Sequence, residues 1–255
     1  MKRYALFTGR FLLVPMISGT FVVSQARPAS VIEWAHTITG FATIYLILGL
    51  LLFSFSSPKH SKVRVPAIVA LAVALLEAIP GVPRLHALVS PILFATLAWV
   101  ATALFPEPQP APARSRWIFL LPALILLAIF YGVGYRHQTS GVLAHLGAAL
   151  SAAGLLLGYC VYLNDHYAAN RKLRTVSSLT IAAIIFQVVF GIVAFIVSLL
   201  EINGGLILSL ARAAHITGAG LVLAASVELA IQFRRTAPIP ASQVLDAIEI
   251  PIASA

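Results

Sequence analysis

The sequence predicts an all-α integral membrane protein, with eight transmembrane helices arranged as two pseudo-symmetric four-helix bundles. Of its 255 residues, 60% are hydrophobic and only 10% are charged, whereas soluble domains are about half apolar and about a quarter charged. The apolar residues are gathered into runs of about 20, the length of a membrane-spanning helix. Most basic residues lie between alternate runs, as membrane topology requires.

Charged or turn-forming residues bound each apolar run. The eight predicted spans are Tyr4–Val23, Glu33–Phe55, Pro66–Pro80, Leu85–Phe105, Trp117–Gly134, Gly141–Leu163, Val176–Leu200 and Gly205–Gln232. The first span follows basic residues and precedes Ser24-Gln25-Ala26, so it imitates a cleavable secretory signal. We expect it to be retained, because it has a counterpart in the second half of the chain.

The distribution of Lys and Arg predicts that both termini are cytoplasmic. All but four of the 17 basic residues lie in the terminal segments or in alternate loops; the four in the opposite loops are Arg27, Arg84, Arg136 and Arg212. The net charge of +9 therefore reflects topology, and we expect no nucleic-acid partner. The expected location is the cell (inner or plasma) membrane, in contact with the lipid bilayer. The single cysteine, Cys160, excludes an internal disulfide.

A shift of 109 residues superposes Arg27 on Arg136 and His36 on His145. This weak repeat predicts an N-terminal half over residues 1–110 and a C-terminal half over residues 111–235. Residues 236–255 would form a cytoplasmic tail. Each half would contribute four helices, and the core of such a bundle is a usual place for a cofactor.

Four histidines lie near the outer ends of their predicted spans, His36 and His86 in the first half and His145 and His215 in the second. Neutral imidazole is a good axial ligand for haem iron, so each pair is predicted to hold one haem. The residues four positions later are small enough to leave room for a macrocycle: Gly40, Ser90, Ala149 and Ala219. The alternative for each histidine is hydrogen bonding between packed helices.

The outer arginines and one carboxylate are predicted to complete these sites. Arg27, Arg84, Arg136 and Arg212 suit haem propionates, or they are ordinary loop charges or contacts to lipid headgroups. Glu33 shares a helix face with His36, where it could take a proton or stabilise positive charge on a substrate. Its alternative role is to favour the helix start.

The remaining histidines and acidic residues in or near the spans receive weaker assignments. Glu77 and Glu228 have no histidine within one turn in the sequence and are predicted to be structural. We expect His60 and His166 to be solvated. We expect His137 to lie in an outer loop next to Arg136, and a haem contact is its alternative role.

These residues resemble the heme A synthase family over nearly the whole chain, to about Arg235. The resemblance rests on E-W-x-H at Glu33–His36 and on Gln187-x3-Gly191 before Ala211-x3-His215. Leu76–Gly81 before His86 and Gly19–Val23 in the first span add to it. The chain differs in having Thr37 where the family has arginine, and in shorter outer loops, which in the family cover the substrate pocket.

The resemblance implies an enzyme that oxidises the C8 methyl group of heme O to the formyl group of heme A. The substrate haem would be held by His36 and His86, with Arg27 and Arg84, and Glu33 would be catalytic. His145 and His215, with Arg136 and Arg212, would hold a haem b cofactor. Heme O synthase and a terminal oxidase are the implied partners, and a homo-oligomer is left open.

Three other functions are compatible with the same residues. A di-haem bis-His electron carrier, such as a quinol-linked cytochrome, would keep all four histidines and have no need of Glu33. A haem transporter or assembly protein would bind haem exchangeably. A structural membrane protein would bind no haem.

Overall fold

A computed structural model describes residues 1–24, 30–79, 82–104, 116–200 and 205–235. Most of these described residues are helical, and none of them lies in a strand. The α-helices are α1 Lys2–Phe11, α2 Leu13–Ser24, α3 Ser30–Phe55, α4 Ser61–Glu77, α5 Pro83–Ala103, α6 Leu120–Arg136, α7 Val142–His166, α8 Arg171–Leu199 and α9 Leu206–Arg235. Two 3-10 turns, Pro58–His60 and Arg116–Phe119, precede α4 and α6.

Six helical segments within the described residues are long and apolar enough to cross a membrane: Val31–Phe55, Pro83–Ala103, Trp117–Arg136, Val142–His166, Arg171–Leu199 and Leu206–Arg235. The prediction of an all-helical chain with membrane-spanning character is confirmed to this extent. The first and third predicted spans are not among the six. The first is divided into the two shorter helices α1 and α2, and the third corresponds to the short helix α4.

A proline interrupts the first predicted span. Pro15 has no N–H to donate to the Phe11 carbonyl. The regular pattern of helical hydrogen bonds is therefore interrupted at Leu12, between α1 and α2. Leu12 nevertheless keeps helical dihedral angles, with φ −59° and ψ −24°. Its N–H donates to the Thr8 carbonyl at 3.1 Å, and the Met16 N–H donates to the Leu12 carbonyl at 3.1 Å. The backbone is therefore helical on both sides of the junction and through it.

The bounds of other helices differ from the predicted spans for reasons of capping. The helix α4 ends at Glu77, short of the predicted Pro80, with the Ala78 N–H donating to the Ala74 and Leu75 carbonyls. The helix α8 begins five residues before the predicted Val176, because the Asn170 side chain caps its first turn by accepting from the Leu173 N–H at 3.0 Å. Hydropathy alone locates neither end.

The helices α5 and α9 pack against each other and connect the rest of the molecule. The helix α5 also contacts α1, α4 and α6, while α9 also contacts α2, α6 and α8. One cluster of buried side chains is built from α1, α3, α4 and α5, around Ile47, Leu50 and Val63. A second is built mainly from α6 to α9, around Leu156 and Leu173. Each buried cluster thus draws mainly on one of the predicted halves.

The prediction that the outer arginines lie in loops is wrong for the three that the structure describes. Arg84 is the second residue of α5, Arg136 is the last residue of α6, and Arg212 lies in α9, three residues before His215. A long basic side chain can extend from a helix end toward the membrane surface, so the helices continue past the apolar runs. Arg27 and the predicted tail over residues 236–255 lie outside the described residues.

Candidate functional site: two histidine pairs

Four helices, α3, α5, α7 and α9, each contribute one histidine to a pair. The imidazole ring centroids of His36 and His86 are 5.6 Å apart, with their planes at 79°. Those of His145 and His215 are 6.2 Å apart, at 82°. The structure therefore brings together the same two pairs that the sequence predicted.

A backbone carbonyl on the preceding helix fixes the tautomer of every one of these histidines. A carbonyl oxygen can only accept a hydrogen bond, so the ring atom facing it, Nδ1, carries the proton. The bonds run from His36 to Pro15 at 2.9 Å, from His86 to Glu77 at 3.0 Å, from His145 to Ala128 at 3.2 Å and from His215 to Gln187 at 3.0 Å. The lone pair of a neutral ring is then on Nε2. This is the arrangement found in metal-binding histidines, whose other ring nitrogen donates to a carbonyl or carboxylate.

A glycine one turn after the carbonyl makes room for the ring at three of the four histidines. A Cβ atom at Gly19 would lie 2.6 Å from His36 Cε1, one at Gly132 would lie 2.9 Å from His145 Cε1, and one at Gly191 would lie 2.8 Å from His215 Cε1. Such distances are too short for a side chain, so only glycine fits. The sequence repeats the same spacing at Glu77 with Gly81, which lies outside the described residues. We call the carbonyl and the glycine four residues later a histidine socket.

The first histidine pair opens into a cavity of about 470 Å³ between α2, α3, α4 and α5. Small-molecule sites in proteins are typically about 300–1,000 Å³ and mostly apolar. Gly40 and Ser90, two of the small residues predicted to leave room beside the histidines, line this cavity together with His36, His86 and Glu77. The cavity therefore offers two imidazoles and one carboxyl group within largely apolar walls.

Glu77 lies at the first histidine pair, although it was predicted from sequence spacing to have no histidine nearby. Its carboxyl Oε1 lies 3.2 Å from His86 Nε2, where the neutral acid can donate to the lone pair of that ring atom. The Ser90 hydroxyl donates to the same oxygen at 2.5 Å. The other oxygen, Oε2, is buried and has no hydrogen-bond partner among the described residues. His86 follows Glu77 by nine positions in the sequence and lies in the next helix. Spacing along the chain therefore did not reveal this contact. The similarity of Leu76–Gly81 to the Gln187 segment was the one available signal.

Gln187 takes the place of Glu77 in the second pair. Its backbone carbonyl accepts from His215 Nδ1, and its side-chain Nε2 lies 3.4 Å from His215 Nε2. Its Oε1 atom is buried without a hydrogen-bond partner in the described part of the chain, and the missing side chain of Gly218 leaves space for it. Each pair thus has one residue that contacts both nitrogens of one imidazole. It is an acid at the first pair and an amide at the second.

Glu33, predicted to be catalytic, lies in the first turn of α3 with an exposed side chain. It is not among the residues that line the cavity, although Thr37, whose hydroxyl donates to the Glu33 carbonyl at 2.9 Å, is one of them. The carboxylate is therefore one turn from His36 on the same helix but outside the cavity wall.

Positive charge is gathered around His137, which follows the last residue of α6. Arg212 lies close enough to Arg136 for their charges to repel each other. The pKa of His137 is below its ordinary value, because of partial burial first, and then because of repulsion by Arg136 and Arg84. Arginines from both predicted halves therefore lie around His137, where they would favour an anionic group such as a carboxylate.

The side chains available as ligands indicate which kind of metal centre each histidine pair could hold. Within the described residues, no group of three or more His, Cys, Asp or Glu side chains is arranged to hold a metal ion. Two imidazoles leave most positions of an iron unfilled, whereas an iron in a porphyrin brings four in-plane nitrogens and needs only axial ligands. The cavity, the Nε2 lone pairs and the small residues beside them fit such a group.

No protein-family model matches this chain, and no curated protein matches it. The class of protein is therefore defined by fold and site alone. Its described residues are predominantly helical, include six helices long and apolar enough to span a membrane, and carry two histidine pairs with fixed tautomers.

Proposed function

We propose that the protein binds two haems in the membrane and acts as a heme A synthase-like oxidoreductase, converting the C8 methyl group of heme O to a formyl group. The observation that carries this proposal is the repeated histidine socket. All four histidines have their Nδ1 proton tied to a carbonyl, which leaves Nε2 with its lone pair in two close pairs. Four ordinary packing histidines would not be expected to share one tautomer, nor three of them one kind of socket.

The proposed topology has eight spans, in two four-helix bundles, with both termini in the cytoplasm. The two spans beyond the six long apolar helices would be α1 with α2, which is helical through Leu12, and α4, whose 17 residues rise about 25 Å at about 1.5 Å per residue. The basic residues of the alternate loops support the orientation. It would put both sites toward the outer face of the cell membrane.

In this proposal the cavity between α2 and α5 is the substrate site. His36 and His86 would ligate heme O there, with Arg27 and Arg84 near its propionates. His145 and His215 would ligate haem b, with Arg136 and Arg212 in the equivalent role. When bound, haem b would supply one-electron transfer. Heme O synthase and a terminal oxidase remain proposed partners.

The chain's own residues would position the substrate and handle protons. The apolar walls of the cavity exclude bulk water from the bound group, while the sockets prevent the imidazoles from rotating. Conversion of a methyl group to a formyl group with water as the oxygen source releases protons and electrons in equal number. The electrons would leave to an external electron acceptor, and the exposed carboxylate of Glu33, one turn from His36, would accept protons at the proposed outer end of α3.

A di-haem electron carrier is the second candidate, and one observation favours it. The Glu33 side chain is exposed and outside the cavity lining, as expected if no reaction requires it. The variant Glu33→Gln separates the two functions, because it would abolish methyl oxidation in the enzyme and leave electron transfer intact in the carrier.

The test is chromatography of the haems extracted from purified protein, after co-expression with a heme O synthase in a host that lacks heme A. Heme A or hydroxylated heme O is the expected product, and haem b alone would favour the carrier. His36→Ala should eliminate the product. The matched control is His166→Ala, at an exposed ring that stacks on Tyr162. A colourless wild-type protein would refute both candidates.

A further inference from the structure

The side chain of Gln187 lies against the ring atom of His215 that iron would use. Its Nε2 atom is 3.4 Å from His215 Nε2, while Nδ1 of the same ring donates to the Gln187 carbonyl at 3.0 Å. The Nε2 atom of the ring therefore presents a lone pair, and the amide nitrogen can donate to it. We propose that Gln187 is a positioning residue that covers this lone pair in the haem-free protein and releases it when haem enters. This inference rests on the proposed binding of haem at the second pair.

The tautomer of His215 determines which end of the Gln187 amide faces the ring. The amide oxygen can only accept hydrogen bonds, so turning it toward the lone pair would place two acceptors against each other. The nitrogen end faces the ring in the structure, in agreement with this requirement. The contact therefore depends on the N–H groups of the amide, which a side chain of the same length without a donor would lack.

The contact is weak, as is suitable for a group that must leave. Its length of 3.4 Å exceeds the range of about 2.7–3.2 Å that is usual for a hydrogen bond from nitrogen. The Oε1 atom of the same amide is buried and has no hydrogen-bond partner among the described residues. A side chain at Gly218 would collide with this oxygen, so the glycine makes room for the amide beside the ring. A polar group buried only for stability would be expected to have its hydrogen bonds made.

One lone pair cannot serve two partners. The Nε2 atom of His215 either accepts from Gln187 or binds iron, so Gln187 competes with the incoming haem and should slow its entry. In the loaded site the amide no longer holds Nε2, and the release of haem should not depend on it. A competing residue therefore changes the rate of association, whereas a residue that only supported His215 would change the rate of dissociation.

The experiment is stopped-flow binding of haem b to the full-length protein, purified without haem in detergent. A His36→Ala background removes one ligand of the first pair, so that binding reports on the second. Gln187→Met keeps the length of the side chain without a donor, and Gln187→Asn keeps an amide that is too short to reach the ring. Each should raise the association rate by about fourfold, which corresponds to about 0.8 kcal/mol and lies within the net range for one hydrogen bond. The dissociation rate, measured by transfer of haem to apomyoglobin, should stay unchanged.

Two controls test whether the effect is specific. Gln232→Met removes a buried amide from α9, 17 residues beyond His215 and hence about 25 Å along the helix, so both rates should stay unchanged. In a His145→Ala background, which leaves the first pair intact, the Gln187 substitutions should also leave both rates unchanged.

The outcomes separate this inference from the proposed function. Unchanged association in both Gln187 variants, or faster dissociation alone, would overturn the inference and leave the proposed function standing. The contact can also be tested without haem, since Gln187→Met should move the ¹⁵N NMR resonance of His215 Nε2 to higher frequency as the hydrogen bond is lost. An unmoved resonance would overturn the inference as well. A wild-type protein that takes up no haem would instead refute the proposed function.

Discussion

The histidine socket makes a sharp prediction at Gly191, which faces His215 from α8. In Gly191→Ala, the new methyl group would lie 2.8 Å from Cε1 and 2.9 Å from Nδ1 of the imidazole. Ordinary van der Waals contacts of a Cβ atom are at 3.4–4 Å. The ring must therefore retreat, and the site cannot keep its present geometry.

The size of the retreat sets the magnitude of the effect. Relief of the clash requires a movement of about 0.6 Å, which would lengthen the bond from His215 Nδ1 to the Gln187 carbonyl from 3.0 Å to about 3.6 Å, too long for a hydrogen bond. Overpacking costs about 1–3 kcal/mol, and an unsatisfied buried polar group costs about 1–3 kcal/mol. We expect the free energy of unfolding to fall by about 1–5 kcal/mol, which is the sum of these two costs less the gain of about 1 kcal/mol from replacing glycine by alanine in a helix. Haem affinity at the second pair should fall by about 10–100-fold, as for other losses of support to a metal ligand.

The assay measures haem absorbance per protein and the midpoint of unfolding in the same detergent. Gly154→Ala is the matched control, because α7 carries this glycine where an added Cβ meets nothing within 4 Å. That variant should keep both haems and lose no stability, since alanine is the better helix former by about 1 kcal/mol. If Gly191→Ala retained both haems at wild-type stability, the socket geometry on which the ligand assignment rests would be wrong.

Three further predictions concern the cavity and the residues around His137. Gly40→Leu should lower bound haem by about half without lowering the unfolding temperature, because a Cβ at this cavity-lining position meets nothing within 4 Å; retention of two haems would contradict it. Arg136→Gln should raise the pKa of His137 toward its ordinary value, since it removes one repelling charge, and an unchanged NMR titration would exclude that interaction. Gln138→Gly should stabilise the protein by about 1 kcal/mol, because Gln138 has a φ of 58° at the end of α6, where glycine is favoured; an unchanged or lower melting temperature would refute this.

The histidine pairs were predictable from the sequence because they depend on side-chain identity. Polar residues inside apolar runs are rare and functional, so His36 and its three counterparts were visible at once. The long apolar helices were equally visible, since length and hydropathy define them. The helical junction at Leu12 had a local signal in Pro15, whose missing N–H weakens the turn before it.

The histidine sockets were not predictable in the same way. Their acceptor is a backbone carbonyl, which every residue possesses, on a helix 9 to 28 residues earlier in the chain. The contact between Glu77 and His86 was missed for this reason: their separation was counted along the chain, whereas the contact crosses from α4 to α5. Only packing determines which carbonyl a ring nitrogen meets.

The sockets also explain why the internal repeat is so faint in the sequence. The shift that superposes His36 on His145 places Gly19 over Ala128, four residues short of Gly132. Four residues are about one helical turn, so the socket keeps its face of the helix while its height along the helix differs between the halves. An alignment without gaps at this shift matches His36 with His145 but misses the glycines, and it does not match His86 with His215, which are 129 residues apart. A duplication that kept the socket geometry, with one helix displaced by a turn, would account for both the match of His36 with His145 and the thin identity around them.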